Sequence, residues 1–521
     1  MNADVLGIDL GTTNSVVATL NDDGEIVVLP NAVGSDTTPS AVYFDGDEVV
    51  VGIEAREANA VDPDNAVVLV KRRMGTDEPV FVAGQTHTPE SISALILRQL
   101  TAAATDHPSP SVVITVPAYF GTAEREATVQ AGNIAGLNVL ELLDEPVAAL
   151  MPQIASGKEG TFLVYDLGGG TFDTTVVNVR SGALTVIATD GHHSLGGADV
   201  DERLLELLLA RVEQSIPEDA YDDLIEDRKA LGSLRSDIEA VKKALSSSTS
   251  RELRVRTPIG VVTITMTRAD LSAACKDLFE STMEVVNRVL EAAKGKGTPA
   301  LSDIVMVGGS SRIPVLLEML EERLGIRPRL FEPDLAVAKG AALRAHSLKQ
   351  TREFERWNSK ARSAGHLVAS TRAPVTAVAP RALGVLVRDS YDPSGTREFV
   401  DHLIRPNTPL PTRSIKKFAT ILDNQESVRI RVFEQAGTSV SEEVEHNRLV
   451  IDGELTGFGE LPAGSPIELV LSVAADGQIS LTAREEQSGK SLRLEAFVAG
   501  VVDSAESTAL AKQVGLLKVR G

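Results

Sequence analysis

Two short segments of this chain carry the same reactive groups in the same order. Val5-Leu-Gly-Ile-Asp9-Leu-Gly11-Thr12-Thr13-Asn14 is answered by Phe162-Leu-Val-Tyr-Asp166-Leu-Gly168-Gly169-Gly170-Thr171-Phe-Asp173. In each, an apolar run delivers an aspartate to a turn of glycine and threonine. Glycine lets backbone N–H groups approach an anion closely, threonine adds hydroxyl donors, and an aspartate at a strand end can orient a divalent cation through its waters. The chemistry served by such a set is the gripping of a metal-bearing polyphosphate, here from two sides.

A further β-prone run follows each turn, Ser15-Val-Val-Ala and Thr174-Thr-Val-Val, so each copy is expected to be a β-hairpin with a loaded tip. A single Asp-Leu-Gly turn is more often an ordinary hairpin than a site, but the repetition implies two related lobes facing each other. A third segment, Asp303-Ile-Val-Met-Val-Gly308-Gly309-Ser310-Ser311-Arg312-Ile313-Pro314, reads as strand, double-glycine turn and helix start. Together with Ile114-Thr-Val-Pro117-Ala-Tyr-Phe120, these segments resemble the DnaK-type heat shock protein 70 chaperones, within the superfamily of actin, sugar-kinase and chaperone ATPases. The resemblance is dense over residues 1–350 and looser to about residue 500.

Residues 1–350 alternate apolar strands with amphipathic helices, an α/β signature. The resemblance implies a two-lobed actin-like ATPase domain there. Glu124 and Glu126 fall in the first turn of a helix that Thr122 is expected to cap and Gly136 to end. Residues 351–380 read as a linker, and 381–500, with alternating runs such as Val428-Arg-Ile430-Arg-Val432 and a turn at Asp476-Gly477, as an antiparallel β-sandwich. Residues 501–521 suffice for one short helix and not for the helical lid of the resembled family.

The resemblance assigns roles residue by residue. Thr12, Thr13 and Asn14 would hold the phosphates from one lobe, and Gly168, Gly169, Gly170 and Thr171 from the other. Asp9, Asp166 and Asp173 would surround Mg2+ and, in this family, K+ as well. Lys71 matches the lysine that orients the attacking water, and Glu145 the carboxylate that positions water near the metal. Thr171 and Asp166 complete the hydrolytic group. Alone, a lysine after an apolar strand is usually a solvated strand end and Glu-Pro a turn. In Leu234–Ser246, Leu234, Ile238, Val241 and Leu245 make one helical stripe while Glu239, Lys242 and Ser246 fall on another face. By resemblance that second face, with Lys243, meets the adenosine, and Gly196, Gly197, Gly308, Gly309, Ser310, Arg312 and Asp334 complete the pocket. Ser488-Gly489-Lys490-Ser491 has Arg484 where a phosphate-loop glycine belongs and reads as a turn.

For the sandwich, the resemblance implies binding of unfolded or extended polypeptide through Val385, Phe418, Val428 and Ile430, residues that serve equally well as sandwich core. Arg388 and Gln478 stand where the family places apolar residues. Pro117 and Arg125 match the residues that pass the nucleotide state between domains, whereas the linker stretch Pro374–Gly384 dilutes the family's apolar and acidic signals. Glu141 replaces an arginine used for J-domain co-chaperones, a reversal expected to repel their acidic finger. A nucleotide exchange factor is a second implied partner.

With 73 acidic against 51 basic residues and a net charge of −22, nucleic acid and anionic membrane are not expected partners. The absence of a long apolar run or leader pattern suggests a cytoplasmic protein. One cysteine, Cys275 in an expected helix Asp270–Phe279, excludes an internal disulfide framework, and the eight histidines show no ligand spacing. The expectation is an ATP-hydrolysing chaperone. A nucleotide-gated scaffold recognising one partner is the main alternative, and a small-molecule kinase is a weaker one.

Overall fold

The computed structural model describes residues 3–46, 48–362, 375–389, 396–437, 439–495, 501–502 and 504–520. Among these residues the chain is an α/β structure built on two six-stranded mixed sheets and two four-stranded antiparallel sheets, with a four-stranded mixed sheet and two two-stranded sheets beside them. In the first large sheet, strand Val5–Asp9 pairs in parallel with Ser111–Val116 on one side and antiparallel with Asn14–Leu20 on the other. In the second, Gly160–Leu167 repeats that relation, parallel to Asp303–Val307 and antiparallel to Phe172–Arg180. The central strands read as continuous apolar runs because helices cover both faces. Leu6, Ile8, Leu163 and Val164 are all sealed from solvent.

Helix Ala336–Arg362 ties the two sheets together. Its small residues Ala338, Ala341, Ala342 and Ala345 are buried, and they let its backbone lie directly on the first sheet. A Cβ on Gly7 would sit 2.0 Å from Ala342 N, so no side chain fits there. The helix also packs on Glu145–Ala155, where Gly340 meets the carbonyl of Ala148. It carries the chain well past residue 350, where the composition begins to change. Part of the expected linker, 363–374, lies outside the described residues.

Beyond that gap, Val375–Thr376 adds a parallel strand to the edge of the second large sheet at Leu184–Thr185. The four-stranded sheets follow. One orders Glu398–Ile404, Leu383–Arg388, Gln425–Gln435 and Asn447–Leu461; the other orders Thr412–Ala419, Pro466–Val473, Ile479–Glu485 and Ser491–Glu495. Alternate residues point inward, so Val385, Val432 and Val450 of one sheet share a core with Leu469, Leu471 and Leu481 of the other. The turn expected at Asp476-Gly477 joins two of these strands, and Glu486–Ser488 forms another turn, just ahead of Gly489 and Lys490.

The last segment departs from the expectation of a lone short helix. Helix Ser504–Leu516 packs on helices Pro89–Ala104 and Thr122–Ile134, and strand Lys518–Arg520 then pairs in parallel with Glu48–Val51. Val501, Val502 and Val514 are buried in the same apolar cluster as Leu6 and Ile8. Arg98 donates to the carbonyls of Val514 and Leu517, and Arg520 pairs with Asp45 at 3.3 Å and Glu48 at 3.5 Å. Among the described residues no helix is long and apolar enough to cross a membrane.

Two local expectations need correction. Thr122 is the first helical residue and not the cap, a position taken by Gly121, which has no side chain to offer. Gly136, with φ 81°, does follow the end of that helix. Cys275 lies at the junction of two helices, Arg268–Ala274 and Lys276–Gly295, fully buried instead of mid-helix.

Candidate functional site

The two hairpin tips meet. A Cβ on Gly169 would lie 1.7 Å from Thr13 Oγ1, and one on Gly170 would lie 2.3 Å from Thr12 Cγ2, so both positions require glycine for the tips to face each other this closely. Beside this contact opens a cavity of about 760 Å³, a size suited to a nucleotide. Asp9, Thr12, Thr13, Asn14, Lys71 and Glu145 line it from one side, and Asp166, Gly168, Gly169 and Thr171 from the other.

Sequence-distant elements deliver the charged groups. Lys71 sits in a short helical turn Val70–Arg73, preceded by Leu69 in the left-handed region at φ 57°, a strained backbone for leucine that turns the lysine inward. Glu145 starts helix Glu145–Ala155, whose second residue is Pro146, a favoured position for proline because its missing N–H has no helical partner to lose. Lys71 Nζ and Glu145 Oε1 are 2.6 Å apart and both nearly sealed from water. Asp9 accepts from Thr115 Oγ1 at 3.2 Å, and Asp173 Oδ2 accepts from Ala118 N at 3.0 Å.

This centre holds more negative charge than its one lysine balances. Burial and then the charge of Glu145 push Asp9 up to about 7. Burial, and then the neighbouring carboxylates, push Asp166 and Asp173 well above the usual range. Burial alone would lower Lys71, yet Glu145 and Asp9 together raise it. Asp173 Oδ1 is buried with no hydrogen-bond partner. Crowded carboxylates and an orphaned oxygen fit a divalent cation. Among the described residues no three acidic, histidine or cysteine side chains converge for direct ligation.

The third motif locks onto the second hairpin: Ser311 Oγ accepts from Leu167 N at 3.2 Å, and Gly308, at φ 81°, lies against Asp166. Further out, Leu234, Ile238, Val241 and Leu245 of helix Arg228–Leu245 are buried as the stripe required, which turns Glu239, Lys242, Lys243 and Ser246 toward the cavity. Lys242 Nζ donates to Gly197 O at 2.9 Å and pairs with Asp201 at 2.6 Å; Glu239 pairs with Lys243 at 2.6 Å. Gly308, Gly309, Ser310, Arg312 and Asp334 close this end, with Arg312 bonded to Asp334. Gly196 packs against the Gly169–Gly170 backbone, so the second tip is braced from behind.

Several residues in and around the cavity were missed in the sequence. Arg72 Nε donates to Gly170 O at 2.8 Å and its guanidinium pairs with Asp199, which in turn accepts from Gly196 N at 2.7 Å. The Lys71-Arg72-Arg73 run was a signal for Arg72. Asp199 stood three residues into a helix after Gly196, a capping position. Arg72 and Asp199 brace the second tip from outside the cavity, whereas Arg56, Asn59, Asp201 and Arg235 line it, and nothing in their local spacing marks them.

In the two antiparallel sheets, Val385 and Ile430 are buried in the shared core, while Phe418 and Val428 are half-buried against it. Arg388 is exposed and pairs with Glu398 at 3.7 Å; Gln478 is exposed. Arg125 bonds Phe120 O at 2.9 Å and also Asp144, and Pro117 is buried in the loop between them and Asp173. Glu141 is held in a two-pronged pair with Arg344 at 2.8 and 2.9 Å.

A family model described as Hsp70 protein matches residues 5–83 and 77–515. Among curated relatives, a Chaperone protein DnaK of Thermotoga maritima is 36% identical over 504 residues, covering 93% of this chain and 79% of the relative. A Chaperone protein DnaK of Thermosipho melanesiensis is 35% identical over 502 residues, with the same coverage of each chain.

Proposed function

This chain belongs to the Hsp70 family, and from that premise we propose a reading of its parts in which the cavity beside the paired hairpin tips is the ATPase centre and the antiparallel sheets are the client-binding module. The protein is an ATP-dependent chaperone of the Hsp70 type, an ATPase that binds ATP and ADP with Mg2+ and acts on unfolded polypeptides. Residues 1–350 form a two-lobed, actin-like ATPase domain in this reading, 351–380 the linker, 381–500 a β-sandwich and 501–521 an appended tail.

The observation that carries the assignment of the site is the buried set Asp9, Asp166, Asp173 and Glu145 around Lys71, one wall contributed by each hairpin. Phosphoryl transfer to water needs charge compensation and a positioned nucleophile and not a covalent intermediate. Mg2+, when bound, supplies neutralising charge at the β- and γ-phosphates. Asp9, Asp166 and Asp173 would hold it, and K+ would be a second cation suited to the same carboxylates. Lys71, fixed by Glu145, directs the attacking water and offsets γ-phosphate charge. Thr12, Thr13, Asn14, Gly168, Gly169, Gly170 and Thr171 donate to phosphate oxygens. Gly196, Gly197, Glu239, Lys242, Lys243, Ser246, Gly308, Gly309, Ser310, Arg312 and Asp334 hold the nucleoside end.

Val385, Phe418, Val428 and Ile430 are the proposed client-contacting group, with Phe418 and Val428 the accessible members and the other two shaping the groove from beneath. Pro117 and Arg125 pass the nucleotide state across. An exchange factor is the proposed partner, while Glu141 argues against the usual J-domain contact, and a single buried thiol in an acidic chain suits the reducing cytoplasm. ATP turnover during titration with an extended apolar peptide tests the reading, comparing the unaltered protein with Thr171→Ala and Val428→Phe. Thr171→Ala should slow hydrolysis while nucleotide stays bound, and Val428→Phe should remove the peptide response alone. A normal peptide response in Val428→Phe would place the groove elsewhere.

A further inference from the structure

A second cavity opens onto Lys71. Its volume is about 180 Å³, and Lys71 and Thr171 are the two residues that line both it and the larger cavity. None of the nucleoside-end residues belongs to it. Around Lys71 the larger cavity presents Asp9, Glu145 and Asp166, whereas the second presents Arg72, Arg381 and Arg448 against one carboxylate, Glu124. The second cavity reaches solvent beside His193 and Ala436, both exposed. It has room for a tetrahedral oxyanion and several waters, since one water needs only about 10–15 Å³.

Separate elements build this basic wall. Arg72 follows Lys71 in the turn Val70–Arg73, so one short turn carries positive charge from the hydrolytic centre into the second cavity. Arg381 stands 2.8 Å from Glu124 Oε1 and 3.8 Å from Glu434 Oε2, and Glu434 also accepts from Thr122 N at 3.1 Å. Arg448 comes from the start of strand Asn447–Leu461 and is half-buried at the outer end. Lys71, Arg72 and Arg381 each have a carboxylate partner. A cleft lined by one sign of charge draws in the opposite ion, and partners already in place keep it from being held tightly. Passage needs that balance, binding good enough to enter and weak enough to leave.

Hydrolysis at Lys71 leaves a phosphate with ADP beside it. The nucleoside of that ADP lies toward Glu239–Ser246, so the diphosphate stands between the product and the opening of the larger cavity. We propose that inorganic phosphate leaves through the second cavity while ADP is still bound, passing Arg72 and Arg381 to a mouth formed by Arg448 and His193. This rests on the reading of Lys71 and Thr171 as the γ-phosphate end of the ATPase centre. Arginine and histidine both offer N–H donors to an oxyanion, histidine in either protonation state. Arg448 and His193 line the second cavity and not the larger one, so they act on the departing product alone.

The full chain is compared as wild type, Arg448→Glu, Arg448→Lys and His193→Glu. Single-turnover hydrolysis is followed by rapid quench, free phosphate by a fluorescent phosphate-binding sensor, and ADP departure by a fluorescent analogue. In parallel, inorganic phosphate is added to the Mg·ADP form and its exchange with the protein is read from phosphorus-31 line broadening. In the wild type, phosphate should appear while ADP remains bound. Arg448→Glu and His193→Glu should each slow phosphate release and exchange by roughly 10-fold, the low end of the effect of a charged cleft on ion entry. Quenched hydrolysis and ADP affinity should keep their wild-type values, and Arg448→Lys should behave as wild type. Where Arg448→Glu fails to fold, the exposed His193→Glu decides alone. Phosphate that emerges from the wild type only as ADP leaves would overturn the route, and so would release and line broadening unchanged in both glutamate variants. A wild type that does not hydrolyse ATP would instead overturn the reading of the centre, and line broadening in the Mg·ADP form would still decide whether phosphate passes Arg448 and His193.

Discussion

Lys71 Nζ and Glu145 Oε1 stand 2.6 Å apart inside a centre where Asp9, Asp166 and Asp173 all resist ionisation. Two consequences follow from this geometry. Glu145 fixes where the ammonium points, and the ammonium is a positive group that acts on all three aspartates. Lys71→Met should therefore lower single-turnover ATP hydrolysis by roughly 10²–10³-fold, the range seen when one preorganised charge donor is removed. Nucleotide affinity, held by the glycine tips and the Glu239–Ser246 face, should change only a few-fold. Rapid-quench hydrolysis beside equilibrium titration of a fluorescent ATP analogue separates the two, and equal losses in both would assign Lys71 to uniform binding.

Cys275 offers a check on burial away from the site. Desolvation, and then the charge of Asp277, push its thiol from an ordinary value of 9.0 up to about 12. Below pH 9 the thiol is neutral in folded and unfolded chains alike. Above it the unfolded chain gives up the proton while the folded chain does not until about pH 12, so this group draws stability away as pH rises through that window. A thiol reagent at pH 8 should label the folded protein at least roughly 100-fold more slowly than the denatured chain, since reaction awaits local opening. Equal rates would mean that the junction of the two helices is open.

Legibility in the sequence followed the range of the interactions. The hairpin tips were readable because strand, aspartate and glycine are contiguous, and the face bearing Glu239, Lys242 and Ser246 was readable because Leu234, Ile238, Val241 and Leu245 repeat at helical spacing. The cap of helix Thr122–Ile134 was misassigned to Thr122 because its true acceptor, Glu434, is separated by 312 positions. Arg72 and Asp201 escaped for the same reason: their partners Asp199 and Lys242 lie on other elements. Strand Lys518–Arg520 is three residues long, too short to register any alternation, and only its pairing with Glu48–Val51 makes it a strand.

Glu141 also has an internal partner that the sequence did not announce. The sequence offered it as a reversal facing a co-chaperone, but both its oxygens are occupied by Arg344, which is 4% exposed. Glu141→Arg would set two guanidinium groups together in a half-buried site and should cost about 3–5 kcal/mol of unfolding free energy, the range for a broken buried pair. Exchanging both, as Glu141→Arg/Arg344→Glu, should recover more than half of that loss. Chemical denaturation of the three variants measures it. A neutral single variant would show the pair to be solvent-screened.

The segment 501–520 completes a sheet whose far side leads to the lysine. Lys518–Arg520 pairs with Glu48–Val51, that strand with Val42–Asp45, and Val42–Asp45 with Ala66–Val67, which ends three residues before Val70 and the turn bearing Lys71. The tail is held by buried Val501, Val502 and Val514 and by Arg98 on two helix-end carbonyls. Val514→Asp buries an unpaired carboxylate and should destabilise the protein by about 2–4 kcal/mol. It should also speed hydrogen exchange at Val49 and Val50, whose strand would become a free edge, while Leu469 and Leu471 in the distant antiparallel core keep their protection. Arg98→Ala should reproduce the exchange pattern at smaller cost, since it removes two carbonyl contacts without adding a buried charge. Unchanged exchange along Glu48–Val51 in both variants would mean that the tail strand contributes nothing to that sheet.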